Sequence, residues 1–283
     1  MSSSWVASMF RRPRLPAVLA CAMLAVAVPV RAADNWPQAV TAHYRISFNG
    51  FDIGTFRFRA RVDATGYVLD GSGELSALLG AFSWQGLSRS SGSVEGDEPK
   101  PGNYAFEYQS GSKSGSIKIG FKQTDVTSLS VRPQGEDEDV VPLRQQHLKG
   151  VLDPLSAVMR LTRADGGAPC GKRLAIFDGK QRFDLQFAYS RLLRVAETRP
   201  SGLPNDAVVC RVRYTPIAGH KRGEEAKTVN GETGIEVTLR PVPSANLLVP
   251  TRIVVPTVAG AAVLTSERID IETHGSGAIA LVY

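Results

Sequence analysis

Asp153 and Ser156 stand three residues apart in the stretch LDPLSAVMRL, residues 152–161. A carboxylate beside a hydroxyl is material for nucleophilic catalysis, in which a base takes the hydroxyl proton. The same spacing also starts a helix. Asp153 suits the N-cap, where a carboxylate accepts backbone N–H groups at N2 or N3, and Pro154 suits the first helical position, which needs no donor. Ser156 then falls at N3, so the sequence gives Asp153 its backbone N–H rather than its hydroxyl. Leu155 and Met159 share one helix face, with Val158 and Leu161 beside them. The reading is a short helix acting as lid or plug, with Leu155, Val158 and Met159 as candidate ligand-binding residues and Asp153 as a structural N-cap.

The remaining chemical motifs fail on context. Gly166-x4-Gly171-Lys172 matches most of a phosphate-binding loop, but Arg173 stands where Ser or Thr must hold magnesium, and the chain continues as strand rather than helix. Ser110-Gly111-Ser112-Lys113 has the SxxK spacing of penicillin-recognising enzymes. It sits in a Gly/Ser turn and lacks its partner motifs. His43, His147, His220 and His274 are scattered without metal-ligand spacing, and the Glu224-Glu225 pair reads as a solvated turn. The sequence therefore offers no catalytic residues, no metal site and no cofactor.

The elements that must position any site are strands. TFRFRARV, residues 55–62, sends Phe56, Phe58, Ala60 and Val62 one way and Arg57, Arg59 and Arg61 the other. The same period of two runs through Tyr44/Ile46/Phe48, Ile117/Ile119/Phe121, Phe183/Leu185/Phe187, Val208/Cys210/Val212/Tyr214 and Ile235/Val237/Leu239. Strict alternation means one buried and one wet face per strand, which is the signature of antiparallel sheet. A sheet this long must curl, because twist accumulates and open edges are hazardous. The expected fold is mainly β: a single large curled antiparallel sheet, half-barrel or β-spiral, with one or two short helices packed against its apolar face.

Asn49–Gly54 and Asp178-Gly179 read as hairpin links, with weaker turns at Asp70-Gly71 and Asn230-Gly231. Pro133–Asp139 and His274–Ile279 read as loops, the latter opening a flexible tail from about residue 274. The Arg57/Arg59/Arg61 stripe reads as an ordinary solvent face. It gains weight as an anion-binding surface only where Arg211 and Arg213 lie beside it.

Arg11, Arg12 and Arg14 precede an apolar run, Leu15–Val30, that ends on Val-Arg-Ala-Ala. The run is short for a membrane span of about 20 residues, and the pattern is that of a secretory signal peptide cleaved after Ala32 or Ala33. Cys21 is not a lipidation site, since apolar chain continues behind it to Val30. The expected organisation is a signal peptide at 1–32 and one β domain at 33–283, exported to the periplasm and not integral to the membrane. The chain carries a formal net charge of +6, of which the leader supplies +4, from four arginines and no acid, leaving +2. That balance gives no reason to expect a nucleic-acid partner. Two cysteines remain past the leader, and in an oxidising compartment Cys170 and Cys210 are most simply a disulfide.

Three segments, DPLSAVMRL (153–161), CGKRLAIFDGKQRFDL (170–185) and CRVRYTPIAGHK (210–221), share their order and spacing with an envelope family of proteobacteria. With YRISFNGFDIGTFRF they make the chain resemble domain of unknown function 3108 from roughly Ala42 to Thr273. The resemblance implies a periplasmic, mostly antiparallel β protein with no assigned reaction. It is similar in kind to curled-sheet carriers that hold an acyl chain between a half-barrel and a helical lid. The expected role is non-enzymatic support of envelope integrity, through a lipid ligand or an envelope protein partner. The alternatives are a scaffold or assembly factor with a filled core, and an envelope-polymer hydrolase built from distant carboxylates.

Overall fold

Fourteen strands form in the computed structural model, which describes residues 36–77, 82–133, 139–166, 168–222, 234–274 and 277–283. The expected signal peptide at 1–32, Glu224-Glu225, Asn230-Gly231 and most of the 133–139 loop lie outside the described residues. The strands are β1 (Ala39–Phe48), β2 (Phe51–Asp63), β3 (Gly66–Ala77), β4 (Phe82–Glu95), β5 (Glu98–Ser110), β6 (Lys113–Lys122) and β7 (Asp125–Arg132). After helix α1 (Pro154–Thr162) follow β8 (Arg173–Phe177), β9 (Arg182–Arg194), β10 (Asp206–Ala218), β11 (Ile235–Val242), β12 (Leu247–Thr257), β13 (Gly260–Thr273) and β14 (Gly277–Val282). All belong to one antiparallel sheet, in the order β7-β6-β5-β4-β3-β2-β1-β13-β12-β11-β10-β9-β8, with β14 added to β13. The sheet is open rather than closed into a barrel.

Two meanders, β1–β7 and β8–β13, therefore meet at a central seam between β1 and β13. Helix α1 packs against β3, β4 and β5 from the first meander and β8 and β12 from the second. These strands are far apart in the sheet order, so the sheet curls around the helix. Backbone hydrogen bonds from Val151 to Thr124 and between Leu152 and β8 tie the helix approach to both sheet edges. The buried core follows this geometry: Leu155 and Met159 pack with Leu69, Tyr104 and Phe177, while Ala157 and Leu161 pack with Leu174, Cys210 and Leu239.

Two turns and the C-terminal tail differ from the sequence expectation. Asp70 and Gly71 form no turn but lie inside β3, paired with both β2 and β4. A Cβ at Gly71 would lie 2.5 Å from the Ser88 hydroxyl and 3.3 Å from Leu155, so this glycine marks where the helix approaches the strand. The β1–β2 link contracts from Asn49–Gly54 to the pair Asn49-Gly50, both at positive φ, and pairing resumes at Phe51. The expected tail forms β14 instead, because Ile279 and Leu281 pair beside Ile271 and Ile269 and Leu281 is fully buried.

Candidate functional site

Alternation along β1 and β2 turns Ala42, Tyr44, Phe56 and Phe58 inward, and Val249, Ile253, Leu264 and Ile269 continue the wall on β12 and β13. Leu155, Val158 and Met159 of α1 cover it. Together these side chains line an apolar cavity of about 120 Å³. An apolar void of about 150 Å³ stays dry and takes up a benzene-sized guest. The polar side chains of the lining are already bonded: the Tyr44 hydroxyl donates to the Pro250 carbonyl at 2.9 Å, and the Thr162 hydroxyl to the Met159 carbonyl at 3.1 Å. Burial holds the Tyr44 phenol well above its ordinary pKa, so it is neutral at physiological pH. Trp36 closes one end, its indole N–H donating to the Gly96 carbonyl and its ring stacked 4.7 Å from the Arg163 guanidinium.

Both ends of α1 are fixed by buried polar groups. At the N-terminus Asp153 Oδ1 accepts the N–H groups of Leu155 and Ser156, each at 3.0 Å. Its Oδ2 accepts the hydroxyls of Ser156 at 2.5 Å and of Ser90 at 2.9 Å. The Ser156 hydroxyl also lies 2.7 Å from that of Tyr67. Burial raises the Asp153 pKa against these four bonds. At the C-terminus Lys172 Nζ donates to the carbonyls of Arg160, Leu161 and Arg163, placing a cation where the helix dipole is negative. Burial pushes the Lys172 amine down to about 8. The loop that carries Lys172 is held in turn by Cys170, whose sulfur lies 1.98 Å from that of Cys210 on β10. Helix α1 is thus a fixed wall of the cavity, anchored to β3, β4 and the start of β8.

The family profile described as "Protein of unknown function (DUF3108)" matches residues 43–266, most of the chain. The chain belongs to this family. No curated protein and no solved structure matches it. The DUF3108 match spans α1, both cysteines, Lys172 and the cavity wall from Tyr44 to Leu264.

Within this DUF3108 segment, Leu155, Val158 and Met159 converge on one cavity. Asp153 and Ser156 do not join them there. Their side chains are fully buried together with that of Ser90 and line no part of the cavity. The hydroxyl of Ser156 is bonded to the Asp153 carboxylate as well as its N–H, beyond the backbone contact read from the sequence. Lys172, the apparent phosphate-loop lysine, is a helix C-terminal anchor. Ser110–Lys113 is the β5–β6 turn, with Gly111 at positive φ. Arg211 and Arg213 are separated from the Arg57/Arg59/Arg61 stripe by four strands, so the two sets do not line up. The sequence reading missed Ser90, Tyr67 and Trp36. Trp36 had one available signal, an aromatic residue directly before the first alternating strand, whereas Ser90 and Tyr67 are joined to α1 only through long-range packing.

Proposed function

We propose that this protein is a non-enzymatic, exported periplasmic protein that holds the end segment of an apolar chain, such as a lipid acyl chain, between α1 and the sheet, in support of envelope integrity. The observation that carries this reading is the cavity itself, walled by carbon and with its two hydroxyls already satisfied. Such a lining rewards apolar area removed from water and offers nothing to orient a polar substrate. The leader-like N-terminus and the Cys170–Cys210 pair support an oxidising compartment. No helix among the described residues is long and apolar enough to cross a membrane. The buried Asp153–Ser156–Ser90 cluster supports a non-catalytic role, since its hydroxyls are held within the helix anchor and away from the cavity. The test is uptake of a fluorescent fatty acid by the purified protein in vesicle-free buffer, together with organic extraction and mass spectrometry. Saturable uptake that a non-fluorescent fatty acid displaces supports the reading. Absence of both uptake and co-purifying lipid overturns it.

A further inference from the structure

Along the cavity lining, Trp36, Ala60 and Val62 at one end of the strands are buried, whereas Phe56, Ile253 and Leu264 toward the other end are half-buried. On β1 and β13 the inward row continues from Tyr44 and Ile269 through Ile46 and Leu264 to Phe48 and Ala262, which pair across the seam. These last four are only half-buried, whereas Trp36 and Val62 at the other end are buried. The row ends at two neighbouring hairpins, and each presents a large apolar side chain to water: Phe51 is 77% exposed and Val258 is 88% exposed. Isolated apolar residues on a surface are ordinary. Here two of the most exposed stand on adjacent tips at the end of an apolar track.

The tips are also built to hold their shape. Asn49 clamps them together, its backbone N–H and side-chain amide donating to the carbonyls of Ala261 and Ala259, while its Oδ1 accepts the Ala261 N–H. Thr257 braces the second turn by bonding the Gly260 carbonyl and the Ala259 N–H. The ion pairs near this end carry no excess of cation, since Arg45 alone is paired with both Asp52 and Glu267. A rigid, apolar pair of tips whose ion pairs hold no excess of cation fits one partner, the surface of a lipid bilayer, into which amphiphilic surfaces insert their apolar groups without relying on anionic headgroups.

We infer that Phe51 and Val258 dock this end of the sheet on a membrane, so that an acyl chain passes between the bilayer and the cavity along the Phe48/Ala262–Ile46/Leu264 track. The acyl-chain passage rests on the cavity reading above; the docking itself stands on the tips. The probe is co-flotation with phosphatidylcholine vesicles, alone or carrying phosphatidylglycerol, at low and high salt. The native protein is expected to float with both vesicle types with little salt dependence. The Phe51→Ser/Val258→Ser variant is expected to lose about tenfold in vesicle affinity. Both replaced side chains are exposed, so its thermal midpoint and its fatty-acid uptake in vesicle-free buffer should match the native protein. Failure of the native protein to float overturns the inference. So does flotation that requires phosphatidylglycerol, vanishes in salt and survives the double substitution, which would assign docking to the Arg57/Arg59/Arg61 face. Self-association through the tips, read as a dimer that the double substitution dissolves, overturns it as well. Loss of uptake in vesicle-free buffer by the native protein speaks only against the cavity reading, so the two failures are distinguishable.

Discussion

The Ser90 hydroxyl of β4 donates to the Asp153 carboxylate across 2.9 Å, with both side chains fully buried. This bond joins the start of the only α-helix among the described residues to the sheet that curls around it. It makes the helix cap an element of tertiary structure, and the energetics of the cap become those of the cavity wall.

Replacing Asp153 with Ala leaves two N–H groups and two hydroxyls without their acceptor in a dry site. The expected loss is about 3 kcal/mol, read as a lower midpoint in urea denaturation. Asp153→Asn keeps an amide oxygen for the two N–H groups, and the serine hydroxyls can rotate to accept from its NH₂, so its cost should stay near 1 kcal/mol. The two variants together separate loss of the cap from loss of the charge.

The same carboxyl predicts a pH dependence. Its pKa is raised in the folded protein above the ordinary 3.8, chiefly by burial. The folded state therefore holds this proton more tightly than the unfolded chain. Its contribution favours folding most at low pH and declines as pH rises from 3.8 through the raised folded value. Asp153→Asn should remove that slope, measured as stability of the two proteins across the acid range.

Lys172 gives the opposite window. Its folded pKa is lowered from 10.5 to about 8, first by burial and against the attraction of Asp165. Between those values the unfolded chain binds the extra proton, so the part of stability owed to this group rises with pH. Lys172→Met should abolish that rise. At neutral pH it should cost about 2 kcal/mol, because the last carbonyls of α1 lose a buried donor. Urea midpoints at neutral and alkaline pH check both effects.

Mass mapping without reductant should recover Cys170 and Cys210 in one linked peptide. Their sequence separation is 40 residues, so removing the link by Cys170→Ser/Cys210→Ser should lower stability by up to about 4 kcal/mol. Because the Cys170 loop carries Lys172, the double variant should also weaken fatty-acid uptake. Calorimetry and fluorescence titration read the two effects separately.

Val158 lines the cavity and is only half-buried. Val158→Trp places an indole in the space offered to a ligand while leaving the anchors at both ends of α1 intact. The expected result is at least about tenfold weaker fatty-acid uptake with little change in thermal midpoint.

Much of this was legible in the sequence, for local reasons. The alternation of TFRFRARV marks the inward and outward faces of β2, and Asp153-Pro154 marks the start of α1. The resemblance carried by three short segments agrees with the family match. What was not legible depends on partners distant in the chain. Gly71 looks like a turn residue until Leu155, brought in by the curl of the sheet, packs over it. Lys172 looks like a phosphate ligand until its amine meets the end of a helix completed ten residues earlier. Ser90 carries no local mark of its bond to Asp153, 63 residues away. Period-two patterns report which face of a strand is buried, but not what buries it.

The β1–β13 seam has a consequence for how the protein comes to be folded. The two central strands of the sheet lie near opposite ends of the described chain, and Tyr44 of one and Leu264 of the other wall the same cavity. Local hairpins within each meander can close early, but among the described strand pairings the seam closes the longest loop, whose closure is costly in entropy and slow. The cavity is therefore among the last features to assemble. A chain cut short before β13 has no seam and an incomplete cavity wall, so on the acyl-chain proposal uptake would report that the chain has folded as far as β13.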